Sequence, residues 1–254
     1  MTDPGEFILE CSREKERFLV SIRPYSPLAS LVEFSGVSAV SPLVTGLKKT
    51  LTEYVQSLHG EGHVTSLNIP HAVRKQEKNM FCLSATVGGG TVEFSGFAIE
   101  RNGLIVSTAH DLESIHDIVV RLDNGEEVAG EVVKRDALRD LSLIKLSKNL
   151  AGAVPVGKGR RKLNLGEKVF AVVCPIHNRE KVRTGVVDEP PARVNGQPLW
   201  QVNMDVTPGD SGGPVFDSDG RLVGVVKGRF RGGWSRGFLI PVTTLRDFLG
   251  LGER

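Results

Sequence analysis

Apolar and polar residues alternate in short runs along most of this chain. Leu141-Ser142-Leu143-Ile144-Lys145-Leu146 has the period of a strand with one covered face, and Leu104-Ile105-Val106 reads as a buried strand. Asp123-Asn124-Gly125 and Asp217 to Gly220 are hairpin turn signals between such runs. Many short strands broken by Gly, Asn and Asp turns predict a mainly β body. The front of the chain reads differently. Glu6 to Cys11 and Arg17 to Arg23 predict a short hairpin. Val44, Leu47, Leu51, Val55 and Leu58 recur at three- and four-residue steps, the stripe of an amphipathic helix, with Gly60 and Gly62 to end it. From about 59 to 79 the chain is rich in His, Gly, Lys and Arg and reads as a linker. The expected organisation is a small α+β module over 1–66, a linker over 67–79 and a β body over 80–254 that ends in a helix near Thr243–Leu249. No internal repeat or low-complexity segment stands out.

Composition narrows the classes. A chain of 254 residues, 40% hydrophobic, can bury one large core or two smaller ones. A net charge of +2 gives no reason to expect nucleic acid. The basic groups Arg160-Arg161-Lys162 and Lys227, Arg229, Arg231, Arg236 read as solvated loops. No apolar run approaches the roughly 20 residues that span a bilayer, so no membrane insertion is expected. Met-Thr-Asp-Pro-Gly-Glu lacks the basic start and apolar stretch of a secretory signal. Three cysteines, Cys11, Cys82 and Cys174, are too few and scattered for a disulfide framework. The cysteine usage suits a reducing compartment or a cysteine-poor fold that needs no bridges, and with the N-terminus it leads to the expectation of a cytoplasmic protein.

The chemistry concentrates in Gly209-Asp210-Ser211-Gly212-Gly213-Pro214. Gly209 can adopt backbone angles costly for other residues, and Gly212 and Gly213 are expected to leave room for a bound peptide beside Ser211. The N–H groups of Gly209 and Ser211 could then face one oxyanion while Ser211 Oγ attacks a carbonyl carbon. A serine needs a base. His110 follows Ser107-Thr108-Ala109, where a strand opens into a loop, and Asp140 abuts the strand Leu141–Leu146, where a carboxylate could orient the imidazole. Asp136 competes for that role but sits in the polar turn Arg135 to Arg139, and Asp140 is preferred. His116 lacks a matching motif, and His71 and His177 lack companions. His59 and His63 have helical metal spacing across two glycines, a poor helix, so no metal site is expected. Cys174 has no base nearby and reads as a buried structural cysteine.

Taken in order, Ser95 to Gly103, Ser107 to Asp111, Arg139 to Leu146, Leu165-Gly166-Glu167-Lys168-Val169, Thr207 to Val215 and Gly237-Phe238-Leu239-Ile240-Pro241 resemble the trypsin-like serine proteases, specifically their HtrA/Deg branch. The resemblance runs from about Phe81 to about Leu249. It implies two six-stranded antiparallel β-barrels, over about 80–155 and 164–243, with His110 and Asp140 in the first, Ser211 in the second and the active site in the cleft between. It implies a serine endopeptidase acting on polypeptides through an acyl-enzyme, without metal or organic cofactor. The alternative is a silent or latent protease-like peptide-binding scaffold controlled by residues 1–66, which could also mediate homo-oligomerisation or bind a regulatory partner.

Two departures matter. Asp210 stands where HtrA proteins usually carry asparagine, and no Arg followed by Ile-Val-Gly-Gly precedes His110 at a suitable distance. Activation by cleavage is therefore disfavoured, though the oxyanion loop could still need ordering by other means. No PDZ domain follows the protease segment within this chain. In trypsin-like folds the residue six positions before the serine, here Asp205, lies at the base of the primary pocket, with Gly228 and Gly237 as its walls. A buried carboxylate there would favour Lys or Arg. HtrA relatives generally prefer small aliphatic residues, and Lys227 could neutralise Asp205.

Overall fold

The computed structural model describes residues 7–13, 16–22, 33–35, 69–87, 90–112, 117–175, 180–194, 196–229 and 236–252. The chain divides into two compact units, Met1–Leu67 and Asn68–Arg254. In the first, β1 (Phe7–Arg13) and β2 (Glu16–Ile22) form an antiparallel hairpin with Cys11 opposite Phe18, and a third strand, β3 (Glu33–Ser35), adds to β2. The helix expected over Val44–Leu58 lies outside the described residues, as do His59, His63, His116 and His177.

The second unit contains two closed six-stranded antiparallel barrels. One is built from β4 (Met80–Val87), β5 (Gly90–Glu100), β6 (Leu104–Ser107), β7 (Ile118–Arg121), β8 (Glu127–Asp136) and β9 (Leu141–Leu146), in the order β4-β5-β6-β9-β8-β7. The other contains β10 (Lys168–Val172), β11 (Val182–Val194), β12 (Gln197–Asn203), β13 (Pro214–Phe216), β14 (Leu222–Arg229) and β15 (Arg236–Pro241), in the order β10-β11-β12-β15-β14-β13. The same strand permutation occurs twice. Closure leaves no free sheet edge in either barrel.

The strands nearest the seam are buried on both faces. Ile105 packs inside the first barrel with Leu83, Phe94, Ile118 and Ile144, whereas its neighbours Leu104 and Val106 join a cluster drawn from both barrels. Val169 and Ala171 pack inside the second barrel with Val202 and Leu239, while Phe170 and Val172 turn to the shared cluster. A large apolar side chain moved fully out of water contributes roughly 1.5–3 kcal/mol, so these strands are stabilised from two sides.

Part of the stretch read as a linker is instead built into this unit. Helix α1 (His71–Arg74) buries Val73 in the shared cluster, and a 3-10 turn, Glu77–Asn79, leads into β4. The closing helix, α2 (Val242–Phe248), buries Leu245 and Phe248 in the same cluster. Lys134 Nζ donates to the Phe248 carbonyl and lies 4.5 Å from the centre of the Phe248 ring. Among the described residues no helix is long and apolar enough to cross a membrane.

The reading of the cysteines requires correction. Cys82 on β4 and Cys174, just past β10, form a disulfide that joins the two barrels. Nothing in their spacing announces it, because the partners lie 92 positions apart and meet only when both barrels have closed. The basic segment near 160 is also not purely solvated. Arg160 pairs with Glu167, with one bond of 2.9 Å, and reaches Asp217 at 3.5 Å.

Candidate active site

His110 follows the end of β6, at the start of a 3-10 turn, His110–Leu112. Its Nδ1 lies 2.9 Å from each carboxylate oxygen of Asp140. The N–H groups of Ala109 and His110 also donate to Asp140 Oδ1, at 3.1 and 2.9 Å. One carboxylate thus holds both the ring and the backbone beneath it. Asp140 is the only non-glycine with a left-handed backbone among the described residues, φ 57°. That conformation costs about 1–2 kcal/mol for a side-chain-bearing residue, and it stands directly before β9, where Ser142 pairs with Ser107 of β6. Asp136, the competing aspartate, accepts from the N–H and guanidinium of Arg139, at 2.9 and 2.6 Å, within its own turn.

The sequence offers Lys227 as a solvated basic residue or as a partner for Asp205. Its ammonium instead donates to Asp140 Oδ2. Burial would raise the Asp140 pKa, but the hydrogen bonds and charges of His110 and Lys227 outweigh it and hold the carboxyl below its ordinary value. The carbonyl of the same lysine accepts a hydrogen bond from Ser211 Oγ at 3.3 Å. Lys227 therefore touches both the acid held by the first barrel and the hydroxyl presented by the second.

Ser211 sits in a loop from Thr207 to Gly213 that docks on the first barrel through Ser95. Ser95 N–H donates to the Ser211 carbonyl at 2.9 Å, and its hydroxyl donates to the Gly209 carbonyl at 2.8 Å. The same hydroxyl accepts from Cys174 N–H at 2.8 Å, and Ser95 lies opposite the other cysteine, Cys82, in the β4–β5 ladder. Gly209 has φ 98° and Gly212 φ 85°. The room expected beside Gly212 and Gly213 is not there. A Cβ on Gly212 would lie 2.0 Å from the Ser95 carbonyl oxygen, and one on Gly213 would lie 2.8 Å from that of Val172. These glycines permit the loop to dock rather than a peptide to enter. Among the described residues, neither the Gly209 nor the Ser211 N–H donates to a protein acceptor.

The expected pocket residues are placed less uniformly. Asp205 is exposed, where a buried carboxylate was expected. It lies in the chain after β12, which carries it out of the barrel wall. Gly228 faces open space at its missing Cβ, and Gly237 is buried, with Val206 Cγ2 2.8 Å from the position a Cβ would take. Sequence reasoning missed Lys227, Ser95 and Arg183, a buried guanidinium beside Asp210. An apolar strand pattern interrupted by one cation, as in Val225-Val226-Lys227-Gly228, was the available signal for the first.

Residues 94–225 match the family described as the trypsin-like peptidase domain. The chain is 31% identical over 159 residues to a probable periplasmic serine endoprotease, DegP-like, from Pseudomonas fulva, covering 60% of this chain and 33% of the relative. It is 28% identical over 251 residues to the chloroplastic protease Do-like 1 of Arabidopsis thaliana, covering 94% of this chain and 55% of that protein. This chain therefore spans a third to about half of the length of these relatives. The fold matches that of the HtrA-type protease AlgW solved with a tripeptide, with a TM-score of 0.63 at 22% identity over 70% of this chain and 61% of that one. The expectation of a cytoplasmic protein is overturned, because these relatives are named for the periplasm and the chloroplast. An N-terminus without a basic, apolar start and a low cysteine count do not by themselves mark a compartment. By matched segment and by fold, the chain belongs to the trypsin-like peptidase family, with its relatives on the HtrA/Deg branch.

Proposed function

We propose that this chain is a serine endopeptidase in which His110, Asp140 and Ser211 act as a triad. Nδ1–H of His110 donates to Asp140, which leaves Nε2 as the base. Nε2 takes the proton from Ser211 Oγ as the oxygen attacks a peptide carbonyl. The Gly209 and Ser211 N–H groups receive the oxyanion; losing one such donor costs roughly 10²–10³ in turnover. His110 then protonates the leaving amine, and water releases the acyl-enzyme with the roles reversed. Lys227 keeps Asp140 ionised throughout, so the carboxylate orients the ring without competing for its proton.

The observation that carries this reading is the double contact of Lys227, whose side chain reaches Asp140 and whose carbonyl reaches Ser211 Oγ. It brings the contributions of the two barrels within the span of one residue. Ser211→Ala should abolish labelling by a fluorophosphonate and lower peptide hydrolysis by roughly 10⁴-fold or more. Retention of both activities refutes the triad. Run on peptides differing only at the residue before the cut, the same assay reads the pocket of Asp205, Gly228 and Gly237. An exposed Asp205, screened by water, corresponds to less than about a tenfold advantage for Lys or Arg over Val or Ala.

A further inference from the structure

Asp210, between the two N–H groups assigned to the oxyanion, carries a carboxylate that is almost wholly removed from water (2% exposed). A carboxylate so placed is costly unless it is paired and hydrogen-bonded. Its Oδ2 accepts from the Thr207 N–H at 2.8 Å and from the Thr207 hydroxyl at 3.1 Å. These bonds close the loop on itself but bring no charge. The charge comes from Arg183, whose Nε lies 3.5 Å from the same oxygen, and among the described residues it is the only cation paired with Asp210. Arg183 is itself buried, at 8% exposed.

The two partners belong to different parts of the second barrel. Arg183 lies on β11, opposite Ala171 of β10 in the ladder, and its Nη1 donates to the Glu180 carbonyl at 2.6 Å. It is part of the frame. Asp210 is part of the loop, whose turns close around it: its N–H donates to the Thr207 carbonyl at 3.0 Å, and its carbonyl accepts from Gly213 N–H at 3.1 Å. An attraction between frame and loop at this point fixes the residues on both sides of Asp210, and those residues are Gly209 and Ser211.

Resting on the triad reading above, we propose that Arg183 is the internal counter-ion that holds the Ser211 loop in its working arrangement by anchoring Asp210. The chain then supplies its own cation for this loop and needs neither a newly cut N-terminus nor a partner's charge to order it. Arg183 is a positioning residue. It acts on the oxyanion donors, so its loss falls on turnover more than on substrate binding.

The test compares wild type, Arg183→Gln, Arg183→Lys, Asp210→Asn and the double variant Arg183→Gln/Asp210→Asn, all in the full chain. Arg183→Gln should lower kcat by about 10²-fold with KM changed less than about threefold. It should also speed hydrogen exchange of the amides in residues 207–213. Arg183→Lys, which keeps the charge, should retain more activity than Arg183→Gln. The double variant removes the unpaired buried carboxylate but not the loss of the anchor, so it should recover at least about tenfold over Arg183→Gln, with exchange slower than in Arg183→Gln and still faster than in wild type. The proposal is overturned if Arg183→Gln stays within threefold of wild type, or if the folded double variant is no better than Arg183→Gln. Exchange is read without turnover. A wild-type chain that neither labels nor cleaves therefore sinks the endopeptidase reading, while exchange in 207–213 still decides the anchoring.

Discussion

The two barrels share one strand permutation but secure their halves of the site by different physics. In the first, Asp140 and His110 stand at the ends of paired strands, β9 and β6, and are joined by hydrogen bonds between that barrel's own residues, to which Lys227 of β14 adds a contact across the seam. In the second, Ser211 rides a loop held by an ion pair to its own frame and by Ser95 of the other barrel. The proposed base is thus fixed mainly by strand-end geometry and the proposed nucleophile by tertiary contacts. Damage at the seam should reach Ser211 before it reaches His110.

The largest effect should come from the covalent link. Loop-closure entropy for partners 92 positions apart corresponds to roughly 4–5 kcal/mol. Replacing both Cys82 and Cys174 by Ala should lower global stability by about that amount in denaturant unfolding. A loss under about 1 kcal/mol would mean that the seam holds without it.

Next comes Ser95→Ala, which strips hydrogen-bond partners from the buried Gly209 carbonyl and Cys174 N–H. It should cost about 2–3 kcal/mol. Fluorophosphonate labelling should slow about tenfold or more, while the downfield Nδ1–H proton resonance of His110 persists. Loss of that resonance would show that the halves are not independent.

The smallest effect belongs to Lys227→Met. A carboxyl whose folded pKa is depressed adds stability that is present above its unfolded value, about 4, and is lost as pH falls through the folded value. Asp140 is such a group, with burial opposed by His110 and Lys227. Removing the ammonium should therefore cost about 1–2 kcal/mol at neutral pH and move acid unfolding to higher pH, read by melting across a pH series. An unchanged acid limb would mean that His110 alone keeps the carboxylate charged.

Much of this was legible in the sequence, for reasons that also mark its boundary. Alternation and turn residues located strands such as Leu141–Leu146 because they act over neighbouring positions, although that strand is covered on both faces, with Ser142 as buried as Ile144. The motif around Ser211 and the placement of His110 and Asp140 beside strand ends were legible for the same reason. Lys227, Ser95, Arg183 and the disulfide were not, since each acts on a residue far away in the chain or on another strand of a closed sheet. Asp205 misled because position relative to a motif does not fix exposure. The repeated strand order was invisible too. Closing a barrel constrains which positions are covered, and many unrelated side chains satisfy that.

Ser95 also limits how the barrels can shift against each other. Its contacts and the Cys82–Cys174 bond lie at a single place on the border of the barrels, so sliding one barrel past the other would break them together. The apolar cluster drawn from both barrels opposes rotation as well, so the pair holds together as one compact unit.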